Sequence, residues 1–145
     1  MVSVQNTTPN RTIVARLEPG EDILETLEKL VVVNNIRAGH LSLIGAVASA
    51  TLGYFDRKSQ KYRSFTLNED LEVTSGIGNI ARTVEDRPVV HAHISVANEE
   101  GKTFSGHLMN GCVVSVTIEV VITILEGELI RDIDPATGLN LLSLS

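Results

Sequence analysis

The spacing of hydrophobic residues changes from a helical to a strand pattern after residue 36. In EDILETLEKLVVVNNI, apolar residues recur at the three- and four-residue spacing of one helix face: Ile23, Leu27, Leu30 and Val31. The acidic residues 21 and 22 suit a first helical turn, and Asn34-Asn35 marks the predicted end. The pattern predicts one long helix, preceded by a short strand in RTIVARLEPG that stops at Pro19-Gly20.

The rest of the chain has the composition and alternation of strands. PVVHAHISVAN and KTFSGHLMNG flank the turn-like sequence NEEG, which predicts a hairpin. CVVSVTIEVVITILEG is the longest predicted strand: its even positions, 112 to 124, form one fully apolar face, and its odd face carries polar residues. A DPATG turn and a leucine-rich end follow. We therefore expect an α+β fold, with one main helix packed on a large, mostly antiparallel β-sheet.

The stretch SGIGNIAR interrupts a strand pattern with Gly76 and Gly78. Glycines inside a strand indicate a bulge or a close approach of another backbone. The stretch lacks the Gly-Lys-Ser/Thr ending and the following helix of a phosphate-binding loop. The structural interpretation is favoured, and a polar contact from Asn79 or an anion contact from Arg82 is the alternative.

Length and composition indicate one domain. We expect residues 1–10 to be flexible and residues 11–145 to form a single domain with an aliphatic core, since only 3% of residues are aromatic. No apolar run approaches the roughly 18–20 residues of a membrane helix, and the N-terminus lacks a secretory signal pattern. The single cysteine, Cys112, excludes an internal disulfide framework and is expected to pack as a small hydrophobic residue. A cytoplasmic location is the expectation.

The net charge of −6 and the pI of about 5.1 argue against a general attraction to nucleic acid. Lysines and arginines are scattered and form no run. A nucleic-acid partner is therefore not expected from the charge.

Three of the four histidines lie between residues 89 and 108. His91 and His93 share one face of a strand, and a hairpin folded at NEEG returns His107 beside them. We expect His107 to pair with His91. A bulge at Gly106 would then be needed to turn the His107 side chain to the same face as His91 and His93. Imidazoles on strands about 4.8 Å apart can converge on one ion with Zn–N bonds of about 2.0–2.1 Å. The pattern predicts a divalent metal site with an open position; ordinary hydrogen-bonded histidines are the alternative.

Two other residues are candidates for supporting roles. His40 lies far from the cluster in sequence and is expected to be a hydrogen-bonded structural histidine rather than a fourth ligand. Glu119, on the polar face of the longest strand, is the candidate catalytic residue. It would act as a general base or as a hydrogen-bond partner of a ligating histidine, and a solvated surface carboxylate is the alternative.

The order of motifs resembles the plants-and-prokaryotes conserved (PPC) domain over residues 11–130, most specifically at HAHIS, SGHL and GIGNIA. The resemblance implies a strongly curved antiparallel sheet and assembly as a homotrimer. It also implies kinship with acetolactate decarboxylase, a metalloenzyme that holds zinc through a His-x-His pair and a later histidine. That triad corresponds here to His91, His93 and His107.

The resemblance leaves two classes of function open. In plants this domain follows an AT-hook, but the chain has no Arg-Gly-Arg, and its single Arg-Pro, Arg87-Pro88, lacks a preceding glycine. One class is a metal-dependent lyase or hydrolase acting on a small oxygen-bearing substrate, with Glu119 assisting. The other is a binding or scaffolding homotrimer without catalytic activity, a DNA-associated one included. Imidazole ligands suit zinc, iron, nickel and copper, and zinc is the expected ion.

Overall fold

The computed structural model describes residues 2–144, which form one helix and a nine-stranded sheet. The elements are β1 (Pro9–Leu17), α1 (Ile23–Val33), β2 (Gly39–Asp56), β3 (Lys61–Leu67), β4 (Leu71–Thr83), β5 (Pro88–Ala97), β6 (Thr103–Leu108), β7 (Val113–Leu125), β8 (Ile130–Ile133) and β9 (Asn140–Ser143). Every strand pair is antiparallel except β4 with β8. The predicted α+β class is confirmed, with a small helix.

Helix α1 ends where the sequence predicts, but it begins at Ile23, after the acidic residues 21 and 22 that were predicted to lie in its first turn. The Asp22 side chain caps its start by accepting a hydrogen bond from the backbone N–H of Glu25 at 3.1 Å. Ile23, Leu27 and Val31 form its buried face against the sheet. Asn34 caps its end. At eleven residues, this helix falls well short of the length needed to cross a membrane, and residues 2–144 contain no other candidate span.

Strand β2 is shared by four neighbours and bends the sheet back on itself. Its first part, residues 39–49, lies between β4 and β7, and its second part, residues 50–56, pairs with β3. Leu52 and Gly53 also pair with β6. Because β4, β5 and β6 are neighbours in turn, the strands β2, β4, β5 and β6 close a ring around apolar side chains. The histidines of β5 and β6 therefore face away from this core.

Gly45 allows β2 and β7 to approach each other closely. Its φ of +149° lies in the region that favours glycine, and a Cβ there would overlap the carbonyl oxygen of Thr117 and lie 2.9 Å from the Cα of Ile118. The pairing shifts at this point: Gly45 pairs with Ile118, but Val47 pairs with Val114. The glycine therefore marks a bulge in the pairing of β2 with β7.

The predicted apolar face of β7 is interrupted at this bulge. The other even positions of the strand are buried, but the Val116 side chain is 70% exposed. The pairs Gly45–Ile118 and Val47–Val114 are two residues apart on β2 but four residues apart on β7. The extra residues break the strict alternation, so Val116, although apolar, does not join the core that the other even positions form.

Residues at the two ends of the sequence also join the domain. Residues 2–8 form no helix or strand, but Gln5 and Thr7 donate hydrogen bonds to the carbonyls of Glu128 and Glu126 at 2.9 and 2.8 Å. Strand β1 begins at Pro9, inside the segment predicted to be flexible. Met1 and Ser145 lie outside the described residues. At the other end, the turn at 134–138 connects β8 to β9, as DPATG predicted.

Cys112 packs as a small hydrophobic residue, as predicted. Its side chain is fully buried, and its thiol donates a weak hydrogen bond to the carbonyl of Thr51 at 3.4 Å. Burial raises the pKa of the thiol to about 11, because the charged thiolate would lose its hydration. The thiol therefore stays protonated at neutral pH and does not act as a ligand or nucleophile.

Candidate metal centre

Strands β5 and β6 form the predicted hairpin in a different register. His93, rather than His91, lies directly opposite His107, so no bulge at Gly106 is needed to bring them to one face. The register differs because the turn has five residues, 98–102. The Asn98 side chain stabilises it by accepting hydrogen bonds from the backbone N–H groups of Glu100 and Lys102. In an antiparallel pair, opposed side chains share a face, and His91 shares that face two residues away.

The three imidazoles converge on one point. A ligand nitrogen of each ring lies within 4.8 Å of the others, and Nε2 of His91 is 3.3 Å from Nε2 of His93. Two tetrahedral zinc ligands with bonds of about 2.0–2.1 Å have nitrogens about 3.3–3.4 Å apart, which matches this separation. Nδ1 of His107 is buried and has no hydrogen-bond partner among residues 2–144. The donor set therefore fits a zinc-sized ion.

The surroundings keep two of these rings in the form that binds metal. The pKa of His91 is lowered from 6.5 to about 4, first by burial and then by the positive charge of Arg131 and the other two histidines. Burial, His93 and Arg131 also lower the pKa of His107. Both rings are therefore neutral at pH 7 and keep a lone pair for an ion.

The lowered pKa of His91 predicts a loss of stability in acid for metal-free protein. Between pH 6.5 and about 4, the unfolded state binds a proton at His91 that the folded state excludes, so the free energy of unfolding decreases as pH falls. Because the ring is partly exposed, we expect about 1 kcal/mol, less than the about 3 kcal/mol of the full shift. Urea unfolding at pH 7 and pH 4.5 in chelator measures this decrease. It should be smaller in His91→Gln, and an equal decrease in both proteins would contradict the prediction.

A buried arginine contacts this cluster, and sequence reasoning missed it. Arg131 lies on β8, whose parallel pairing with the end of β4 brings it next to β5. Its Nη2 donates to Oδ1 of Asn79 at 2.6 Å and contacts Nδ1 of His91 at 3.3 Å. The polar contact from Asn79, considered only as an alternative, is therefore present. The only sequence signal for Arg131 was its place between the apolar residues of LIRDI, next to Asp132.

Tyr62 from β3 packs against the His107 ring of the cluster. Its ring centroid is 4.7 Å from that of His107, and the rings are tilted by 34°. The tyrosine arrives there because β3 and β6 both pair with the second part of β2. No local sequence pattern distinguishes it from an ordinary strand residue.

The structure does not bring Glu119 to the histidines within one chain. Glu119 pairs with Arg16 on β1 and Ile44 on β2, and its side chain is exposed. Strands β2 and β4 lie between β7 and the histidine strand β5, a lateral separation of roughly 14 Å at normal strand spacing. The predicted catalytic role of Glu119 stays a prediction, with no support from the geometry of a single chain.

Two further candidates have different surroundings from those predicted. His40 is not part of the three-histidine group, as expected, but its side chain is exposed and makes no hydrogen bond within residues 2–144. It lines a cavity of about 300 Å³ together with His91 and His93. Arg82 is buried and donates to the carbonyl of Ile36 at 3.1 Å, so its role is structural rather than anion binding.

Gly78 lets β4 and β5 approach each other behind His91. A Cβ at this position would overlap the carbonyl oxygen of His91 and lie 2.7 Å from the Cβ of Ala92. The expected close backbone approach is confirmed at this glycine. The absence of a side chain at Gly78 thus sets the position of His91.

Two solved structures resemble the whole chain. One is a metal-containing protein from Archaeoglobus fulgidus, 32% identical, with a TM-score of 0.89; the match covers 98% of this chain and 99% of that one. The other is a PPC protein from Pyrococcus horikoshii, 30% identical, with a TM-score of 0.89 and coverage of 99% and 97%. Acetolactate decarboxylase from Bacillus subtilis shares the fold alone, at 12% identity and a TM-score of 0.58, covering 93% of this chain and 61% of that one.

A curated relative is much longer than this chain. It is the bifunctional protein GlmU from a Synechococcus strain, 35% identical over 125 residues, which are 85% of this chain and 19% of that protein. The chain therefore spans about a fifth of the length of this relative. The model of the Plants and Prokaryotes Conserved domain, abbreviated PCC or PPC, matches residues 4–126. That match covers most of the chain, and the protein belongs to this family.

Proposed function

We propose that this protein is a cytoplasmic homotrimer that binds one divalent transition-metal ion per chain through His91, His93 and His107. Zinc is the proposed ion, and one coordination position is open to water or a small oxygen-bearing ligand. Three histidines with an open fourth position are the arrangement of an exchangeable zinc site rather than a closed structural one.

The convergence of the three rings carries the proposal. Two Nε2 atoms stand 3.3 Å apart, the separation expected for two ligands of one tetrahedral ion, and the third ring has a buried nitrogen without a partner. The rings project from the rigid pair β5 and β6, so a bound ion would need little rearrangement of the backbone. The A. fulgidus relative, described as metal-containing, supports the proposal as well.

The chain's own residues would hold the ion and shape its open position. A bound zinc ion supplies a Lewis acid that polarises an oxygen ligand. His91, His93 and His107 would provide the neutral donors. Arg131 and Tyr62 would flank the approach to the open position.

A row of exposed residues, three of them apolar, supports the proposed self-association. Val14, Val121, Ser42, Ile77 and His93 are paired in turn across five strands, so their side chains share one face. Val14 is 75% exposed and Ile77 59%. Such a surface is typical of a protein interface. A second copy seated there would reach the edge of the histidine cluster, and the family resemblance implies a three-fold assembly.

Elemental analysis of untagged protein tests the proposal. We expect about one zinc-type ion per chain in the wild type and less than a tenth of that in His93→Ala, because two ligands hold an ion poorly. His40→Ala is the matched control: it removes a neighbouring histidine outside the group and should keep the metal. Light scattering on the same samples should give three times 15.7 kDa, about 47 kDa, for all three proteins, because aliphatic burial supports the fold.

The outcomes separate the alternatives. No metal in the wild type, even after incubation with zinc, would reject the metal site and leave a scaffolding or DNA-associated assembly. A mass of one chain with stoichiometric metal would reject the trimer alone. Equal loss of metal in His40→Ala and His93→Ala would show that the ligand set was assigned incorrectly.

A further inference from the structure

Arg131 carries a buried positive charge without a negative partner. Its side chain is 5% exposed, and within residues 2–144 no carboxylate oxygen lies within 4.0 Å of its guanidinium. A buried charge that lacks both an opposite charge and a full set of hydrogen bonds is unfavourable. This arginine therefore differs from Arg37, which is paired with two carboxylates at 2.8 Å.

The hydrogen bonds of Arg131 are also incomplete. The guanidinium offers five N–H donors. Nη1 donates to the carbonyl of Asn140 at 2.9 Å and Nη2 to Asn79 at 2.6 Å, while Nε is buried and has no partner. Both acceptors are neutral. The contacts orient the group but leave its charge uncompensated.

The arginine lines a small cavity that leads to the histidine cluster. This cavity has a volume of about 190 Å³, and its polar lining includes Arg131, His91, His107 and Tyr62. Its remaining wall is mainly apolar: Val89, Val90, Leu139 and Leu141. The volume corresponds to roughly six water molecules at liquid density. A short molecule with one anionic end and an aliphatic remainder suits both walls.

We propose that this cavity binds a short aliphatic carboxylate, with Arg131 as the anion-binding residue and the carboxylate next to the open position of the metal site. This inference rests on the proposed metal centre and names the class of its ligand. The guanidinium fork matches carboxylates and phosphates alike. The four apolar side chains of the wall favour a carboxylate with an aliphatic remainder over a heavily hydrated phosphate.

The same charge couples the ligand to the metal. A divalent cation held by His91 would lie close to the Arg131 guanidinium, whose Nη2 is 3.3 Å from that ring, and like charges repel. A carboxylate between them reduces the repulsion. Metal and carboxylate should therefore each strengthen the binding of the other by the same factor, because coupling between two sites is reciprocal.

Zinc affinity with and without butyrate tests this coupling. In chelator-competition titrations of the wild type, saturating butyrate should tighten zinc binding about tenfold, whereas uncharged butyramide should not. In Arg131→Met, which keeps the length but removes the charge, zinc should bind more tightly than to wild type without any anion. There the butyrate effect should be below about twofold. An equal butyrate effect in both proteins would overturn the proposal, since the anion would then act on the metal alone.

A second measurement uses only the wild type. Saturation-transfer NMR on metal-free protein should show butyrate bound in preference to butyramide. In spectra of the protein itself, the Tyr62 and Leu139 resonances should shift when butyrate is added. Equal binding of both compounds, or binding of neither, would overturn the carboxylate site even if Arg131→Met does not fold. No zinc binding by wild type under any condition would instead reject the metal centre, so failures of the two proposals are distinguishable.

Discussion

Replacing Gly45 by alanine is expected to destabilise the protein by about 3–5 kcal/mol. The new Cβ would overlap the carbonyl oxygen of Thr117 in β7, and the backbone conformation at φ +149° is strained for any residue with a side chain. Both effects act at the pairing of β2 with β7, where neither backbone can move without breaking other strand pairs. Thermal unfolding should show a decrease in Tm of roughly 10–15 °C for a domain of this size.

Gly20→Ala is the matched control for this prediction. Gly20 also has a positive φ, +91°, but a Cβ there would have no neighbour within 4 Å. This variant should lose only the conformational contribution, about 1 kcal/mol. Equal stability of the two variants would contradict the prediction that the close approach of β2 and β7 leaves no room for a Cβ at Gly45.

Replacing Gly78 by alanine is expected to weaken metal binding about 10–100-fold while leaving all three histidines in place. The added Cβ would overlap the backbone carbonyl of His91 and push β5 away from β4. His91 would then move relative to His107, which is held by β6 and β2. Chelator-competition titrations with zinc measure the affinity, and circular dichroism checks that the sheet persists.

Glu72→Ala provides the control for Gly78→Ala. Glu72 lies on the same strand, is exposed and pairs with Ala97 far from the histidines. Its replacement should leave zinc affinity unchanged within twofold, since a surface substitution of this kind disturbs little. Normal affinity in Gly78→Ala would show that the position of His91 does not depend on this contact.

Local patterns in the sequence were sufficient to predict the helix, the hairpin and the three histidines. Helical spacing predicts α1, and the two-residue spacing of His91 and His93 places both rings on one face. The register was missed because it depends on side-chain hydrogen bonds of Asn98 inside the turn. A shift of one residue in a turn is enough to change which residues face each other.

The remainder of the site depends on long-range pairing that no local pattern reveals. Arg131 is 40 residues from His91 and reaches it only because β8 joins the edge of β4. Tyr62 arrives through the second part of β2. Glu119 looked suitable because its strand face is polar, yet two strands separate β7 from β5. Predicting which polar faces meet requires the strand order, and this chain's order is far from sequential.

The shared position of β2 has a consequence for how the chain is made. The edge of β2 that receives β7 stays unpaired until residues 113–125 have been synthesised, about 70 residues after β2 is complete. At roughly 5–20 residues per second this interval lasts several seconds. An apolar strand with a free edge can pair with other chains during that time. Because the pairing of β2 with β7 is slow and non-local, the nascent protein is a candidate for chaperone protection. Overexpression at low temperature should therefore increase the soluble yield.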